Sequence, residues 1–385
     1  MADVFTKREH MVKIALIGCS GSIGRQVCAV VRRYPHKFAF SALVGGRDGE
    51  TLSALAYEFR PAFAGLADGG VCDLPEGTKR LSAEELVKEA FNGCDVALIA
   101  AGGFAGLAYT LRAAALGVRV ALANKESLVC GGDLVAAELK KSGADLVPVD
   151  SEHSAIWQAL AFRRDASFSE LILTASGGPF YSYTKEQLAR VIAADALRHP
   201  TWKMGAKITV DSATLLNKGY EVIEAHWLYN APYGKIKAVV HPESIVHSLV
   251  AFEDGAMIAQ LGYPTMELPI QLALTYPERL PCAPAPDLAQ IGALHFLPLP
   301  EDKFPCFRLA VQAGKAGGTL PTVLNGAGEV AVRAFLEGEI SFPQIAETIE
   351  DALAHIPRET VSSYEQLKEA DIRARKAAHD LIYGI

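Results

Sequence analysis

The sequence predicts an α/β protein. A doubly wound, Rossmann-like parallel sheet comes first, then a mixed α+β domain, then a C-terminal helical bundle. Three observations predict this. Through the first 150 residues, short apolar runs alternate with amphipathic stretches, the pattern of a parallel sheet covered by helices. The first apolar run ends in a glycine-rich turn that opens a helix. After Pro277 the chain becomes proline-rich and then reads as helices alone.

In chain order, Val12–Ile17, Phe38–Val44, Asp95–Ala100, Val118–Ala121 and Asp145–Val149 read as buried strands, with Ile23–Arg33 and Ala83–Phe91 among the helices between them. In the middle region, Leu171–Ala175 and Ile208–Val210 read as strands and Ser212–Trp227 as one helix. Ile245–Phe252 and Met257–Leu261 read as a hairpin turning at Asp254-Gly255. Pro281, Pro284, Pro286, Pro298, Pro300 and Pro305 make an extended surface linker. Ser341 with Gln344, and Ser363 with Gln366, are capping-box helix starts. The expected units are residues 1–149, residues 150–276 with a loop at 176–206, a linker at 277–304, and a helical domain at 305–385.

At 385 residues the chain exceeds one ordinary core. Half its residues are hydrophobic and 21% charged, as in a globular protein. No apolar run is long enough for a bilayer. Met1–His10 carries mixed charge and lacks both the apolar stretch of a signal peptide and the Arg/Ser bias of a transit peptide, so a cytoplasmic location is expected, with no membrane partner. A net charge of -7 argues against a nucleic-acid partner but not against phosphate ligands in a local basic pocket. The seven cysteines are scattered without a CxxC pair, and read as reduced thiols.

The strand Val12–Ile17 runs into Gly18-Cys19-Ser20-Gly21-Ser22-Ile23-Gly24 and then a helix. Glycines let the backbone turn tightly and approach a pyrophosphate, and a helix N-terminus offers free N–H groups. The competing reading is a plain tight turn. At the end of the second strand, Gly46-Arg47-Asp48 offers a guanidinium for the 2′-phosphate of NADP and a carboxylate for the ribose of NAD. Arg47 comes first and its fork suits a phosphate, which favours NADPH.

Asp150-Ser151-Glu152-His153 follows a buried strand at the carboxyl edge of the sheet. Two carboxylates separated by one residue suit Mg²⁺ or Mn²⁺, or alternatively a helix N-cap. Ser212, Asn217, Lys218 and Glu221 form a second cluster. The last three share a helix face, and the donors suit a phosphate while Glu221 can complete the metal site. A surface salt bridge between Lys218 and Glu221 is the plainer alternative. Ser176 in the turn Ser176-Gly177-Gly178 is a further phosphate candidate. His199-Pro200-Thr201-Trp202-Lys203-Met204-Gly205 is irregular and suits a lid over 176–206. Asn124-Lys125-Glu126, at the end of another strand, can touch a nicotinamide and a substrate hydroxyl, or simply start a helix.

These stretches, in this order, resemble the 1-deoxy-D-xylulose-5-phosphate reductoisomerase family, and the resemblance covers nearly the whole chain. It rests on Leu122-Ala123-Asn124-Lys125-Glu126-Ser127, Pro148-Val149-Asp150-Ser151-Glu152-His153, Ser176-Gly177-Gly178-Pro179-Phe180, His199-Pro200-Thr201-Trp202, and Val210-Asp211-Ser212-Ala213-Thr214 continuing to Asn217-Lys218-Gly219. The resemblance implies an NADPH-binding domain, a catalytic and dimerisation domain, and a homodimer. It implies a metal held by Asp150, Glu152 and Glu221. It implies a substrate phosphate held by Ser176, Ser212, Asn217 and Lys218, with Ser151, Lys125, Glu152 and Glu221 also touching substrate. Trp202 would cover the substrate, and His153, His199 and His247 would lie near the reaction centre. Ser20, Gly21, Ser22, Ile23, Gly46, Arg47, Asp48, Asn124, Lys125, Glu126 and Gly205 would line the NADPH site. The implied reaction is a metal-assisted rearrangement of a small sugar phosphate to a branched aldehyde phosphate, which NADPH then reduces to 2-C-methyl-D-erythritol 4-phosphate, an isoprenoid precursor.

Cys19-Ser20, Asp48 and the segment from Leu98 to Gly106 depart from the family pattern. Two alternatives from other classes are a different two-domain NADP-dependent oxidoreductase and a non-enzymatic NADPH sensor.

Overall fold

Most of the N-terminal strands are short and apolar because both their faces are covered, while the edge strand Lys79–Arg80 is charged and exposed. In the computed structural model, which describes residues 11–163 and 166–384, they are β1 (Val12–Ile17), β2 (Phe38–Gly45), β3 (Phe63–Leu66), β4 (Lys79–Arg80), β5 (Val96–Ile99), β6 (Arg119–Leu122) and β7 (Leu146–Pro148). Met1–His10 lies outside the described residues. All seven strands are parallel, in the order β4-β3-β2-β1-β5-β6-β7. The order reverses between β1 and β5, and ligands bind at such a switch point, outside the strands' carboxyl ends. Helices α1 (Ser22–Arg33), α2 (Gly49–Phe59), α3 (Ala83–Glu89), α4 (Gly106–Ala115), α5 (Glu126–Ser142) and α6 (Ser151–Ala159) connect and follow these strands. Ile14, Leu16, Leu43, Leu98 and Leu122 are completely buried between the layers.

The second sheet is mixed. It contains β8 (Glu170–Ala175), β9 (Ile236–Val240), β10 (Val246–Ala251), β11 (Met257–Leu261) and β12 (Leu297–Pro298), in the order β11-β10-β8-β9-β12. The expected hairpin is present: Gly255 takes φ +86°, and the Phe252 N–H donates to Ala256 O at 2.9 Å. Helices α7 (Lys185–Leu188), α8 (Ala193–Ala196), α9 (Ala206–Ala213) and α10 (Leu216–Tyr229) lie between β8 and β9. The proline-rich stretch follows α11 (Glu267–Thr275). It carries the one-turn α12 (Leu288–Ile291) and pairs with the second sheet through β12.

Two expectations fail here. Ile208–Val210 is not a strand. It lies in α9, where burial of Val210 and the helical bond from the Thr209 N–H to Gly205 O (3.1 Å) override the β-preference of Ile-Thr-Val. Nor is Ser212–Trp227 one helix. Leu215 adopts left-handed φ +58° and separates α9 from α10, which runs on to Tyr229. That bend lets Ser212 and Asn217 line the same cavity.

The chain ends in α13 (Pro305–Ala316), α14 (Leu320–Glu337), α15 (Phe342–His355) and α16 (Tyr364–Tyr383). The Gln344 side chain accepts from the Ser341 N–H at 2.7 Å, closing the expected capping box; Ser363 Oγ accepts from the Gln366 N–H at 3.2 Å, but the Gln366 side chain reaches the Ser362 N–H instead, so this start is a cap without the box. No helix among the described residues is long and apolar enough to cross a membrane. All seven cysteines are free.

Candidate active site

A cavity of about 550 Å³ opens between the two sheets. Ser22, Ile23 and Gln26 of α1 line one end of it, and Asp150, Glu152 and Glu221 line its floor. Ser176, Ser212, Asn217, Trp202 and His247 complete its lining.

The floor is an ionic cluster. Asp150 caps α6, its Oδ1 accepting from the Glu152 N–H at 3.3 Å, so the helix-cap reading is met and its other oxygen is left for the cluster. Glu221 comes from α10 and is 1% exposed. One oxygen from each of Asp150, Glu152 and Glu221 lies within 4.8 Å of the others. Two ammonium groups sit against them. Lys125 Nζ lies 2.5 Å from Asp150 Oδ2 and 3.2 Å from Glu221 Oε1, and donates to Asn217 Oδ1 at 2.8 Å. Lys218 Nζ lies 2.8 Å from Glu152 Oε1 and also bonds Glu221 Oε2.

Three carboxylates against two ammonium groups leave one net negative charge. Burial alone would raise the Asp150 carboxyl, but the Lys125 ammonium overrides it and holds it well below the usual range. Glu152 moves up, through burial and the neighbouring Glu221 charge. An all-oxygen set with excess negative charge fits Mg²⁺ or Mn²⁺.

His199 organises the serine end. Its Nδ1 accepts from the backbone N–H groups of Thr201 (3.2 Å) and Trp202 (3.0 Å), so the imidazole proton belongs on Nε2. Nε2 lies 3.0 Å from Ser176 Oγ and 3.2 Å from Ser212 Oγ. Burial pushes the imidazole down to about 4, so the ring is neutral near pH 7. With Nε2–H directed at the serine oxygens, both hydroxyl protons are free to point at an anion.

At the dinucleotide end, the N–H groups of Gly18 and Cys19 donate to Val44 O, at 2.8 and 2.9 Å. This seats the turn on the end of β2. Gly21 precedes α1 in extended backbone, and the half-buried Ser20 with the exposed Gly21 and Ser22 leaves the helix N-terminus open. These features fit a pyrophosphate. Arg47 is 86% exposed, its Nε 3.9 Å from Asp68 Oδ2, next to Gly46. Asp48 caps α2, accepting from the Thr51 N–H at 3.0 Å. Asn124 is buried, donating to Gly103 O (3.1 Å) and Glu126 Oε2 (2.7 Å) and accepting from the Ser127 N–H (3.1 Å). Gly205 caps α9 and reaches the cavity wall.

Four of the expected residues have partners within the protein that the sequence did not announce. His153 is wholly buried and does not line the cavity; its Nε2 lies 3.1 Å from Glu224 Oε2, one layer behind Asp150. Burial alone would lower this imidazole, but Glu224 raises it. Lys125 points its amine into the acidic cluster and not toward the dinucleotide end. Lys218 likewise spends its amine on Glu152 and Glu221, because the acids are its nearest charges. Asp48 is committed to its helix cap. Sequence reasoning missed Gln26, Thr265 and Met266 on the cavity wall and Glu224 behind it. Thr265 and Met266 lie just before α11 and carry no local signal.

Comparison with known proteins matches the chain to three family models. "1-deoxy-D-xylulose 5-phosphate reductoisomerase" matches residues 14–132, its C-terminal domain matches 146–229, and "DXP reductoisomerase C-terminal domain" matches 261–377. A 1-deoxy-D-xylulose 5-phosphate reductoisomerase of Geobacillus sp. (strain WCH70) is 47% identical over 381 residues, covering 97% of this chain and all of that protein. That of Bacillus subtilis (strain 168) is 43% identical over 386 residues, with the same coverage. A solved DOX-P reductoisomerase in complex with NADPH, fosmidomycin and magnesium superposes with a TM-score of 0.90 at 38% identity, covering 97% of this chain and 98% of that one. The Zymomonas mobilis enzyme in complex with NADPH gives 0.89 at 36% identity, covering 98% and 100%.

Proposed function

The chain belongs to the 1-deoxy-D-xylulose 5-phosphate reductoisomerase family, and from that premise we propose how its own residues carry the reaction. The enzyme converts 1-deoxy-D-xylulose 5-phosphate to 2-C-methyl-D-erythritol 4-phosphate, using NADPH and a divalent cation, in isoprenoid precursor synthesis. One observation carries the residue assignment: a single cavity joins the dinucleotide turn, the three carboxylates and the serine pair.

Asp150, Glu152 and Glu221 hold the cation. When bound, the cation supplies Lewis-acid polarisation of the substrate carbonyl and hydroxyl oxygens, and NADPH supplies the hydride. Lys125 and Lys218 hold these carboxylates in place, and Lys125 and Ser151 also face the substrate. Ser176 and Ser212, set by His199, donate to the substrate phosphate, with Asn217 beside them. Gly21, Ser22 and Ile23 receive the pyrophosphate, Gly46 and Arg47 the 2′-phosphate. Asn124, Glu126 and Gly205 border the nicotinamide side.

The assay that tests this reading is NADPH oxidation with 1-deoxy-D-xylulose 5-phosphate, before and after chelation and after restoring Mg²⁺ or Mn²⁺. Turnover that survives chelation would refute the carboxylate assignment. Replacing His199 with alanine should raise the substrate KM about 10-fold, the size of a lost pair of oriented hydrogen bonds, with NADPH affinity unchanged. An unchanged KM would mean the serines orient themselves.

The segment 176–206 closes as a lid in this reading. Gly177 and Gly178 at one end take positive φ, and Gly205 caps α9 at the other. Trp202 between them stands over the cavity, its ring 6.1 Å from that of His247. Substrate analogue plus cation is expected to protect the bonds after Arg198 and Lys203 from protease and to change Trp202 emission. Equal cleavage with and without ligand would make the segment rigid.

A homodimer accords with the second sheet. Its edge strand β11 exposes Met257 (55%) and Ile258 (47%), and at the other edge Leu297 of β12 and the preceding Phe296 are exposed. Sedimentation at twice the chain mass tests this. A cytoplasmic location accords with seven free thiols and a reaction that draws on a reduced nicotinamide pool.

A further inference from the structure

Opposing charges meet at the end of β2. The carboxylate of Asp48, beside Arg47, should repel the 2′-phosphate of NADPH, and Asp68 stands close by. The Asp48 carboxylate, however, is turned into α2. Hydrogen bonds from Thr51 hold it below the usual carboxylate range, with a smaller contribution from Arg25. Arg47 and Asp68 form only a loose, exposed pair, which a phosphate dianion can displace.

Arg25 lies in the first turn of α1. Its Nη1 donates to Ser20 O at 2.9 Å, folding the guanidinium back over the glycine-rich turn. That turn is fastened to β2 by the two N–H bonds to Val44 O, and Cys19 Sγ lies 3.8 Å from where a Cβ on Gly45 would stand. Arg25 is therefore held over the turn, within electrostatic reach of Asp48. One guanidinium N–H is spent on Ser20, and the others remain for a ligand. With both arginines, the two positive charges match Asp48 and Asp68. With Arg47 alone, the edge would be net negative and would repel a phosphate.

We propose that Arg25 is a second specificity-determining residue for the dinucleotide: with Arg47 it forms a two-arginine clamp on the ribose 2′-phosphate, offsetting the carboxylates of Asp48 and Asp68. This rests on the reading of the chain as an NADPH enzyme. The fold logic that places a 2′-phosphate at the end of the second strand points to the basic residue there; Arg25 joins it from a different element, across the turn.

The test is equilibrium binding to the full chain without substrate, using NADPH fluorescence, NADH fluorescence, and calorimetry with 2′-AMP and 5′-AMP. Arg25→Met should weaken NADPH and 2′-AMP by about 10-fold or more, while NADH and 5′-AMP change by less than about twofold. Arg25→Lys should recover part of the loss, because it restores charge without the planar fork. Equal weakening of NADPH and NADH would place Arg25 on the pyrophosphate and overturn the proposal. An unchanged ratio of the two affinities would overturn it as well. An unsubstituted chain that binds neither dinucleotide would overturn the functional reading itself, and the clamp with it.

Discussion

Glu221→Gln is expected to lower turnover by about 100-fold or more and to leave NADPH affinity unchanged. Glutamine keeps the shape of the side chain and removes one charge. Glu221 faces both ammonium groups and accepts from the Asn217 amide at 2.5 Å, so it joins the two halves of the cluster. Without its charge, two carboxylates face two ammonium groups, and the excess negative charge that attracts a cation is gone. A drop of about 100-fold corresponds to about 2.7 kcal/mol of lost transition-state stabilisation, well within what a Lewis acid supplies.

The dinucleotide turn is built from β1 and α1 and contains none of the three carboxylates, which is why its affinity should not move. A melting curve separates lost chemistry from lost folding, since unbalancing a buried ion pair also destabilises. Partial recovery at high Mg²⁺ would mark the defect as one of cation affinity. Near-full turnover at ordinary Mg²⁺ would show that Glu221 holds only the lysines.

The acids were readable because Asp150 and Glu152 follow a buried strand at a sheet's carboxyl edge, where backbone topology alone decides what faces a ligand. Their partners were less readable. Lys125 meets Asp150 because β6 and β7 are neighbours in the sheet, a fact of strand order and not of spacing. His153 adjoins Glu152 in sequence yet faces Glu224, because consecutive residues on a helix point about 100° apart. The α9 error has a different cause. Ile-Thr-Val prefers a strand locally, and only tertiary burial makes it helical. The bend at Leu215 has no glycine or proline to announce it. The hinge of the serine pair, His199 Nε2, was foreseen as a residue near the chemistry but not as the group that orients both hydroxyls.

Gly24→Ala is expected to abolish tight NADPH binding, weakening it by about 100-fold, and to lower the melting temperature by several degrees. A Cβ on Gly24 would stand 2.3 Å from Gly18 O and 2.5 Å from Cys19 O. Both are backbone atoms, so no side chain can rotate away, and the turn itself must lift from α1. Lifting it breaks the bonds from Gly18 and Cys19 to Val44 O and moves the helix N-terminus away from the pyrophosphate. Overpacking of this kind costs about 1–3 kcal/mol in folding, and the dinucleotide loses its aligned N–H groups in addition. Gly21→Ala is the control. Its Cβ would meet only Gly18 O, at 3.4 Å, an ordinary contact, so the melting temperature should hold. Any loss of NADPH affinity there would come from the methyl group crowding the bound dinucleotide. If Gly24→Ala binds NADPH as tightly as the unsubstituted chain, the turn from Gly18 to Gly24 is not the pyrophosphate site, and the dinucleotide must lie elsewhere along the sheet edge.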